Sequence, residues 1–244
     1  MLAGVFSLRL FQALGIAVIL ALPALFITTN VRVAFQSQTI YNYAIDAFDA
    51  PERTGVERAE LVKGMAGLID YFESDDDLIT TEIIVNGISE PLFTEREAIH
   101  FRDVRDLLQR TYFVQTVAIV IMLGILAAAA VAAARGRPDL AAIVFRRIRQ
   151  TAVWTVVAII GIGLFAALGG FDFLFLQFHL LSFSNDLWQG TADDRMIQLF
   201  PQMFFLQGTL LIGFAAIVEM GVAWAGATVS LRGLEPSKAP EDGG

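Results

Sequence analysis

The sequence predicts an all-α membrane protein: a four-transmembrane-helix bundle that carries a structured extracytoplasmic loop domain of helices and a short hairpin. Three observations carry that expectation. Hydrophobic residues make up 56% of the 244 and charged residues 17%, whereas a soluble domain sits nearer about 45–50% and about 25%. Four stretches are long and apolar enough to cross roughly 30 Å of hydrocarbon at about 1.5 Å per residue. The short connection between the second and third holds Arg135, Arg137, Arg146, Arg147 and Arg149 against the single acid Asp139, the mark of a cytoplasmic loop.

The first stretch covers residues 11–29. Arg9 precedes it, as in a signal peptide, but no small-x-small cleavage site follows Phe26, and the segment reads as a retained anchor. The second (112–134) and third (151–171) stretches are uncharged, and the third carries Gly161-Ile162-Gly163 and Gly169-Gly170. The fourth, 203–227, has Glu219 as its one ionisable group, a residue suited to snorkelling or an interhelical hydrogen bond. Gly124, Gly161, Gly163 and the alanines at 127–130 permit close helix approach in lipid. With loop 135–150 inside, both termini are cytoplasmic and the long loops 30–111 and 172–201 face outward together. Loop 30–111 holds 8 basic and 16 acidic residues, which suits the outer side. The whole chain reads as one membrane domain.

The first outer loop is too patterned to be a linker. Val56, Leu61, Met65, Leu68, Ile69 and Phe72 recur near helical spacing. The solvated acidic turn Ser74-Asp75-Asp76-Asp77 ends that helix. An aliphatic, β-branched run over 78–85 meets Asn86-Gly87, a two-residue hairpin turn, and a second strand follows over 88–93. Thr94 with Glu97 forms a capping box that opens a helix running without Gly or Pro from Glu95 into the second span. The second outer loop begins with five phenylalanines in residues 171–183 and then breaks at Ser184-Asn185-Asp186. Such a segment belongs in the membrane interface or re-enters among the helices.

Composition narrows the chemistry. Net charge is −8 and cysteine is absent, which excludes disulfides, thiolate nucleophiles, iron–sulfur clusters and cysteine zinc sites. No basic tract recommends a nucleic-acid partner. There are two histidines, His100 and His179, and both fall in the outward loops. Glu97 and Asp103 sit three residues either side of His100, each about 60° from it around the helix, so either can hold one imidazole nitrogen. A surface histidine beside acids is ordinarily just a solvated face, and one among aromatics often only anchors the interface. Glu97-x-x-His100 also has the spacing of a bundle metal pair, yet two histidines and scattered acids leave a metal centre short of ligands. Ser182 and Ser184 lack a nucleophile elbow.

Two blocks resemble a known family. Phe93-Thr94-Glu95-Arg96-Glu97-Ala98-Ile99-His100-Phe101-Arg102-Asp103-Val104-Arg105 is similar to the signature of a four-span bacterial membrane family that includes the lipoprotein intramolecular transacylases (Lit). Phe178-His179-Leu180-Leu181-Ser182-Phe183, with Asp186-Leu187-Trp188 and Leu199-Phe200-Pro201-Gln202-Met203-Phe204-Phe205, resembles its second histidine motif. Tyr41-Asn42-Tyr43 and Leu68-Ile69-Asp70-Tyr71-Phe72 fit its first loop.

The resemblance implies an acyltransferase acting on diacylglyceryl-modified bacterial lipoproteins within membrane lipid. It moves the sn-2 acyl chain to the cysteine α-amine and gives the lyso-form, with no cofactor. On that footing His100 is expected to be the base, oriented by Glu97 or Asp103, and His179 to polarise the ester or protonate the alkoxide; the two roles are interchangeable. Arg96, Arg102 and Arg105 are candidate oxyanion helpers, Phe173, Phe175, Phe178 and Trp188 candidate walls of an acyl slot, and Tyr41 a candidate substrate contact. No metal is expected. The alternatives are another lipid- or peptide-directed membrane hydrolase, metal-dependent or not, and a non-enzymatic membrane scaffold or sensor.

Overall fold

The computed structural model describes residues 2–235. Four of its helices are long and apolar enough to cross a membrane: Leu8–Phe35, Glu95–Ala134, Pro138–Ser182 and Gln202–Gly233. In chain order the elements are α1 (Leu2–Phe35), α2 (Gln38–Ala47), α3 (Ala50–Thr54), α4 (Arg58–Glu73), β1 (Glu82–Val85), β2 (Ile88–Pro91) and α5 (Glu95–Ala134). Then come α6 (Pro138–Phe165), a π-helical turn (Ala166–Gly170), α7 (Phe171–Ser182), α8 (Arg195–Leu199) and α9 (Gln202–Gly233). The protein is an all-α membrane protein apart from one hairpin.

The chain forms two compact units. The first takes residues up to Thr28, Val114–Ile160 and the chain from Phe214 onward. Its core is built from Val18 and Leu22 of α1, Ile125 and Ala129 of α5, Val144 and Ala152 of α6, and Met220 of α9. Small side chains recur at these contacts because lipid supplies no hydrophobic drive between helices, so close dispersion contact must hold them. Thr28 returns its hydroxyl to the Ala24 carbonyl at 2.6 Å, which satisfies a polar group inside the helix.

The second unit comprises Thr29–Phe113 and Gly161–Gly213. Its core gathers Ile45 of α2, Leu61, Met65 and Leu68 of α4, Ile83 of β1, Leu92, and Phe101 of α5 with Leu199 of α8. The helix expected over 56–72 is α4, which starts later, at Arg58, with Val56 buried just ahead of it. The hairpin turns at Asn86 and Gly87, whose φ values of 53° and 81° are those of a type I′ turn. Its ladder pairs Glu82 with Pro91 through Val85 with Ile88, so the strands are shorter than the runs 78–85 and 88–93. Leu78 and Ile79 pack on the core instead of extending the ladder. The five-residue helices α3 and α8 are too short to show a sequence period, whereas α2 has one, burying Tyr41, Ala44 and Ile45 at helical spacing.

The phenylalanine-rich segment is helical. α6 runs through the π-helical turn, where Leu168 (φ −86°, ψ 15°) and Gly169 (φ 103°, ψ 3°) leave the helical region, and α7 resumes at Phe171. A φ of 103° is one that L side chains rarely adopt, so the bend rests on glycine. Gly170 is needed for space, because a Cβ there would meet the Phe165 ring at 2.5 Å. Gly169→Ala is expected to destabilise the protein by about 1–3 kcal/mol, read as a lower thermal midpoint of the detergent-solubilised chain, with no such loss for Gly161→Ala, where the added Cβ meets open space.

Candidate active site

The capping box at the start of α5 is formed. Thr94 donates both its N–H and its hydroxyl to Glu97 Oε2, at 2.8 Å each. The other carboxylate oxygen, Oε1, accepts the Met196 N–H of α8 at 2.7 Å. Glu97 is 2% exposed, so its charge is held by three donors out of water. This corrects the expectation that Glu97 orients His100: its oxygens are spent on fastening the second outer loop to the first turn of α5. The Glu97-x-x-His100 metal reading loses its carboxylate for the same reason. Among the described residues, no group of three or more His, Asp or Glu side chains converges as metal ligands would.

One turn along, His100 is buried at 6% exposure. Its ring meets the edge of Phe183 at 5.2 Å between centroids, and its Nδ1 is buried without a hydrogen-bond partner. α5 has 40 residues and rises about 60 Å, twice the hydrocarbon thickness. His100 lies outside the uncharged part, 112–134, that can occupy lipid. Burial pushes its pKa down to about 4, with nearby His179 and Arg96 adding to the effect and Asp103 opposing it. The imidazole is therefore neutral near pH 7.

His179 sits on α7, also buried, at 7% exposure. Its Nδ1 lies 2.7 Å from the Phe175 carbonyl. A carbonyl oxygen only accepts, so Nδ1 carries the proton and Nε2 holds the free lone pair. Aromatic rings enclose it: Phe175 at 4.2 Å, Trp188 at 4.5 Å, Phe178 at 5.2 Å and Phe183 at 5.6 Å between centroids. Phe183 thus touches both histidine rings and joins them into one cluster.

The loop that delivers Trp188 is pinned at three further points, two on α5 and one on β2. Asp103 accepts a hydrogen bond from Asn185 Nδ2 at 2.8 Å, while Asn185 Oδ1 accepts the Leu187 N–H at 3.1 Å. Arg96 donates to the Gln189 carbonyl and pairs with Asp194 at 3.6 Å. Arg195 reaches back to Glu90 and to the Pro91 carbonyl, the latter at 3.0 Å. Gly190 admits this closure, since a Cβ there would meet Ile197 at 2.5 Å and Asp194 Oδ2 at 2.8 Å.

The remaining expected residues divide. Phe178 and Trp188 are at the cluster, Phe178 half exposed. Asp103 stands close enough to His100 to favour its charged form, yet its carboxylate is used by Asn185, so it does not orient the ring by a hydrogen bond. Arg96 is beside His100 but is committed to the loop. Arg102, two residues and so about 200° around the helix from His100, pairs with Asp77 at 3.4 Å and does not belong to the cluster. Tyr41 is a correction too: it is buried in the core, its hydroxyl donating to the Phe35 carbonyl at 3.1 Å and its ring edge-on to Phe200. Sequence reasoning missed Asn185 and the bridging position of Phe183; Phe175, expected as a wall of the acyl slot, is at the cluster and also holds His179 through its carbonyl, one helical turn earlier.

Acid stability gives a direct check on His100. The folded chain holds it neutral down to about pH 4, while the unfolded chain binds a proton below about pH 6.5. Stability contributed by the neutral ring is whole above about pH 6.5 and is lost as pH falls toward 4. The expected loss is about 2 kcal/mol at pH 5 relative to pH 7. Unfolding midpoints compared at the two pH values should show this loss in the wild-type chain and not in His100→Gln.

The chain resembles a known family in sequence and solved proteins in fold. The model of the family described as lipoprotein intramolecular transacylase Lit matches residues 16–205. The in meso structure of the membrane integral lipoprotein intramolecular transacylase Lit from Bacillus cereus superposes with a TM-score of 0.73 at 17% identity, covering 92% of this chain and 97% of that one. Two structures of that protein with one histidine replaced, by arginine and by alanine, superpose with a TM-score of 0.68 at 17% identity. They cover 92% of this chain, and 93% and 95% of their own chains respectively. No curated protein matches the chain by sequence.

Proposed function

The chain belongs to the lipoprotein intramolecular transacylase family, and from that premise we propose that it converts diacylglyceryl-modified lipoproteins to their lyso-form. The sn-2 acyl chain moves from the glycerol to the α-amine of the same N-terminal cysteine. The observation that carries this reading is the shared contact of the His100 and His179 rings on Phe183. Both rings are buried, and an aromatic wall surrounds the one whose basic nitrogen is free.

Ester aminolysis requires a base for the amine proton, a donor for the oxyanion and a proton for the departing alkoxide. His179 suits the first task, because its Nδ1–H is fixed on Phe175 and Nε2 remains as acceptor. Of the two interchangeable assignments of roles to the histidines, this one takes His179 as the base. The amine nitrogen bonds to the ester carbonyl carbon as its proton passes to Nε2; the acyl carbon–oxygen bond then breaks, and the same proton goes to the glycerol oxygen. His100, neutral through burial, gives an N–H to the carbonyl oxygen as charge develops there, a role in which a neutral imidazole serves well. Orientation of amine and ester on one molecule supplies much of the acceleration, up to about 7–11 kcal/mol of the barrier. No cofactor or acyl-CoA enters the balance. Phe178 and Trp188 line the acyl slot, and Glu97, Asp103 and Arg96 act as positioning residues that hold the Trp188 loop on α5.

The arginines of 135–149 support a cytoplasmic connection with both termini on the same side; on that orientation His100, at the far end of α5 from Arg135, faces the outer side of a bacterial cell membrane. There the substrate's glycerol ester meets the headgroup boundary. Mass spectrometry of the N-terminal lipopeptide of a reporter lipoprotein tests the reading in a bacterial host with and without this chain. Appearance of N-acyl, S-monoacylglyceryl cysteine only with the chain is the expected result. A monoacylglyceryl product with a free amine would identify a hydrolase instead, and unchanged diacylglyceryl product would favour a scaffold or sensor.

A further inference from the structure

The first unit holds a cavity of about 370 Å³ lined by Pro138, Asp139, Ala142, Arg146 and Arg149 of α6 with Leu231, Leu234 and Glu235 from the end of α9 and just beyond. We propose that this cavity binds the phosphodiester headgroup of a membrane phospholipid. Arg146 and Arg149 lie one turn apart on one face of α6, so two guanidinium forks reach the same space, the arrangement that suits phosphate oxygens. Arg149 Nε is buried and has no hydrogen-bond partner among the described residues, which leaves a donor for an incoming acceptor. The guanidinium is steadied meanwhile by the Trp224 ring, 5.4 Å below it.

Charge around the cavity favours an anion. Of the two lining acids, Asp139 is held by Arg137 through a paired contact of 3.1 and 2.9 Å, which leaves Arg146 and Arg149 facing Glu235. Position favours a lipid over a free ion. Arg149 stands two residues before the uncharged run that starts at Thr151, at headgroup depth, and a tryptophan lies beside it as in an interfacial belt. Ala142, Leu231 and Leu234 give the cavity an apolar wall for the glycerol and upper chain carbons, and basic pockets between membrane helices are a known form of headgroup site. Nothing in the transacylase reading requires this site.

Native mass spectrometry of the full chain in a neutral detergent, with added phosphatidylglycerol, diacylglycerol or inorganic phosphate, tests the assignment. The expected result is one retained phosphatidylglycerol, no retained diacylglycerol and no displacement of the lipid by millimolar phosphate. The double variant Arg146→Gln/Arg149→Gln should bind at least about tenfold more weakly. Leu231→Trp, which fills the cavity and keeps both arginines, should weaken retention likewise, and Arg9→Gln should leave it unchanged. Equal retention by wild type and the double variant, equal loss in Arg9→Gln, retention of diacylglycerol, or displacement by phosphate would each overturn the proposal.

Discussion

Replacing His179 by glutamine is expected to lower lyso-form production by about two to four orders of magnitude, the usual contribution of a positioned general base. Glutamine can keep a side-chain donor near the Phe175 carbonyl, so the packing against Trp188 and Phe178 is largely preserved, but it has no basic nitrogen to take the amine proton. The loss should therefore fall on the rate at saturating substrate, with little change in the concentration needed for half-saturation. His100→Gln removes a donor to a developing oxyanion, and a loss of about 10²–10³ is expected there. Because both act on one transition state, the double variant should be scarcely worse than His179→Gln alone. The measurement is turnover of a synthetic diacylglyceryl lipopeptide by purified chain, followed by mass spectrometry. Multiplicative losses in the double variant would separate the two rings mechanistically. Full activity in His179→Gln would remove it from the reaction.

How far this site is legible in the sequence depends on the distance between the partners. Local signals translate directly: Asn86-Gly87 becomes the I′ turn, and Thr94 with Glu97 becomes the capping box, because each is decided within four residues. The apolar runs lead to four long helices because length and lack of charge leave few other structures. The bend before α7 was not legible from Gly169-Gly170, since a glycine pair permits closeness as well as a positive φ. Long-range demands were hidden. Glu97 looks like an orienter of His100 from spacing alone; its second partner, the Met196 N–H, lies 99 residues away, and no local pattern announces a backbone donor. Tyr41 sits in a motif shared with the family, and that membership does not tell a core tyrosine from a substrate contact. Arg102 and Arg96 stand close in sequence but face different ways around α5, which a helical projection can read once the helix is assumed. The convergence of His100 and His179 followed from their being the two histidines of one predicted compartment, and Phe183, the ring between them, has no chemistry to draw the eye.

Glu97→Gln is expected to cost about 2–4 kcal/mol of stability, because the amide replaces an oxygen that accepts charge-assisted bonds with an N–H₂ that faces other donors. If the amide oxygen stays on the Met196 N–H, the new nitrogen confronts the Thr94 N–H and hydroxyl; if it flips, the Met196 N–H is left buried and unpaired. Either arrangement loosens α8 and the loop carrying Trp188 from the first turn of α5. Activity should fall with stability, and the manner of its fall separates a positioning residue from one that touches substrate. At a temperature where the variant is fully folded, the pH dependence of turnover should keep its wild-type shape, since the titrating group is an imidazole, while the overall rate drops. Glu97→Asp keeps the charge but shortens the reach by one methylene, and it should recover the bonds to Thr94 before the one to Met196. It is thus expected to restore part of the thermal midpoint and less of the rate. A Glu97→Gln chain as stable as wild type, or one whose pH profile shifts by a full unit, would show that the carboxylate acts on the histidines and not through the loop.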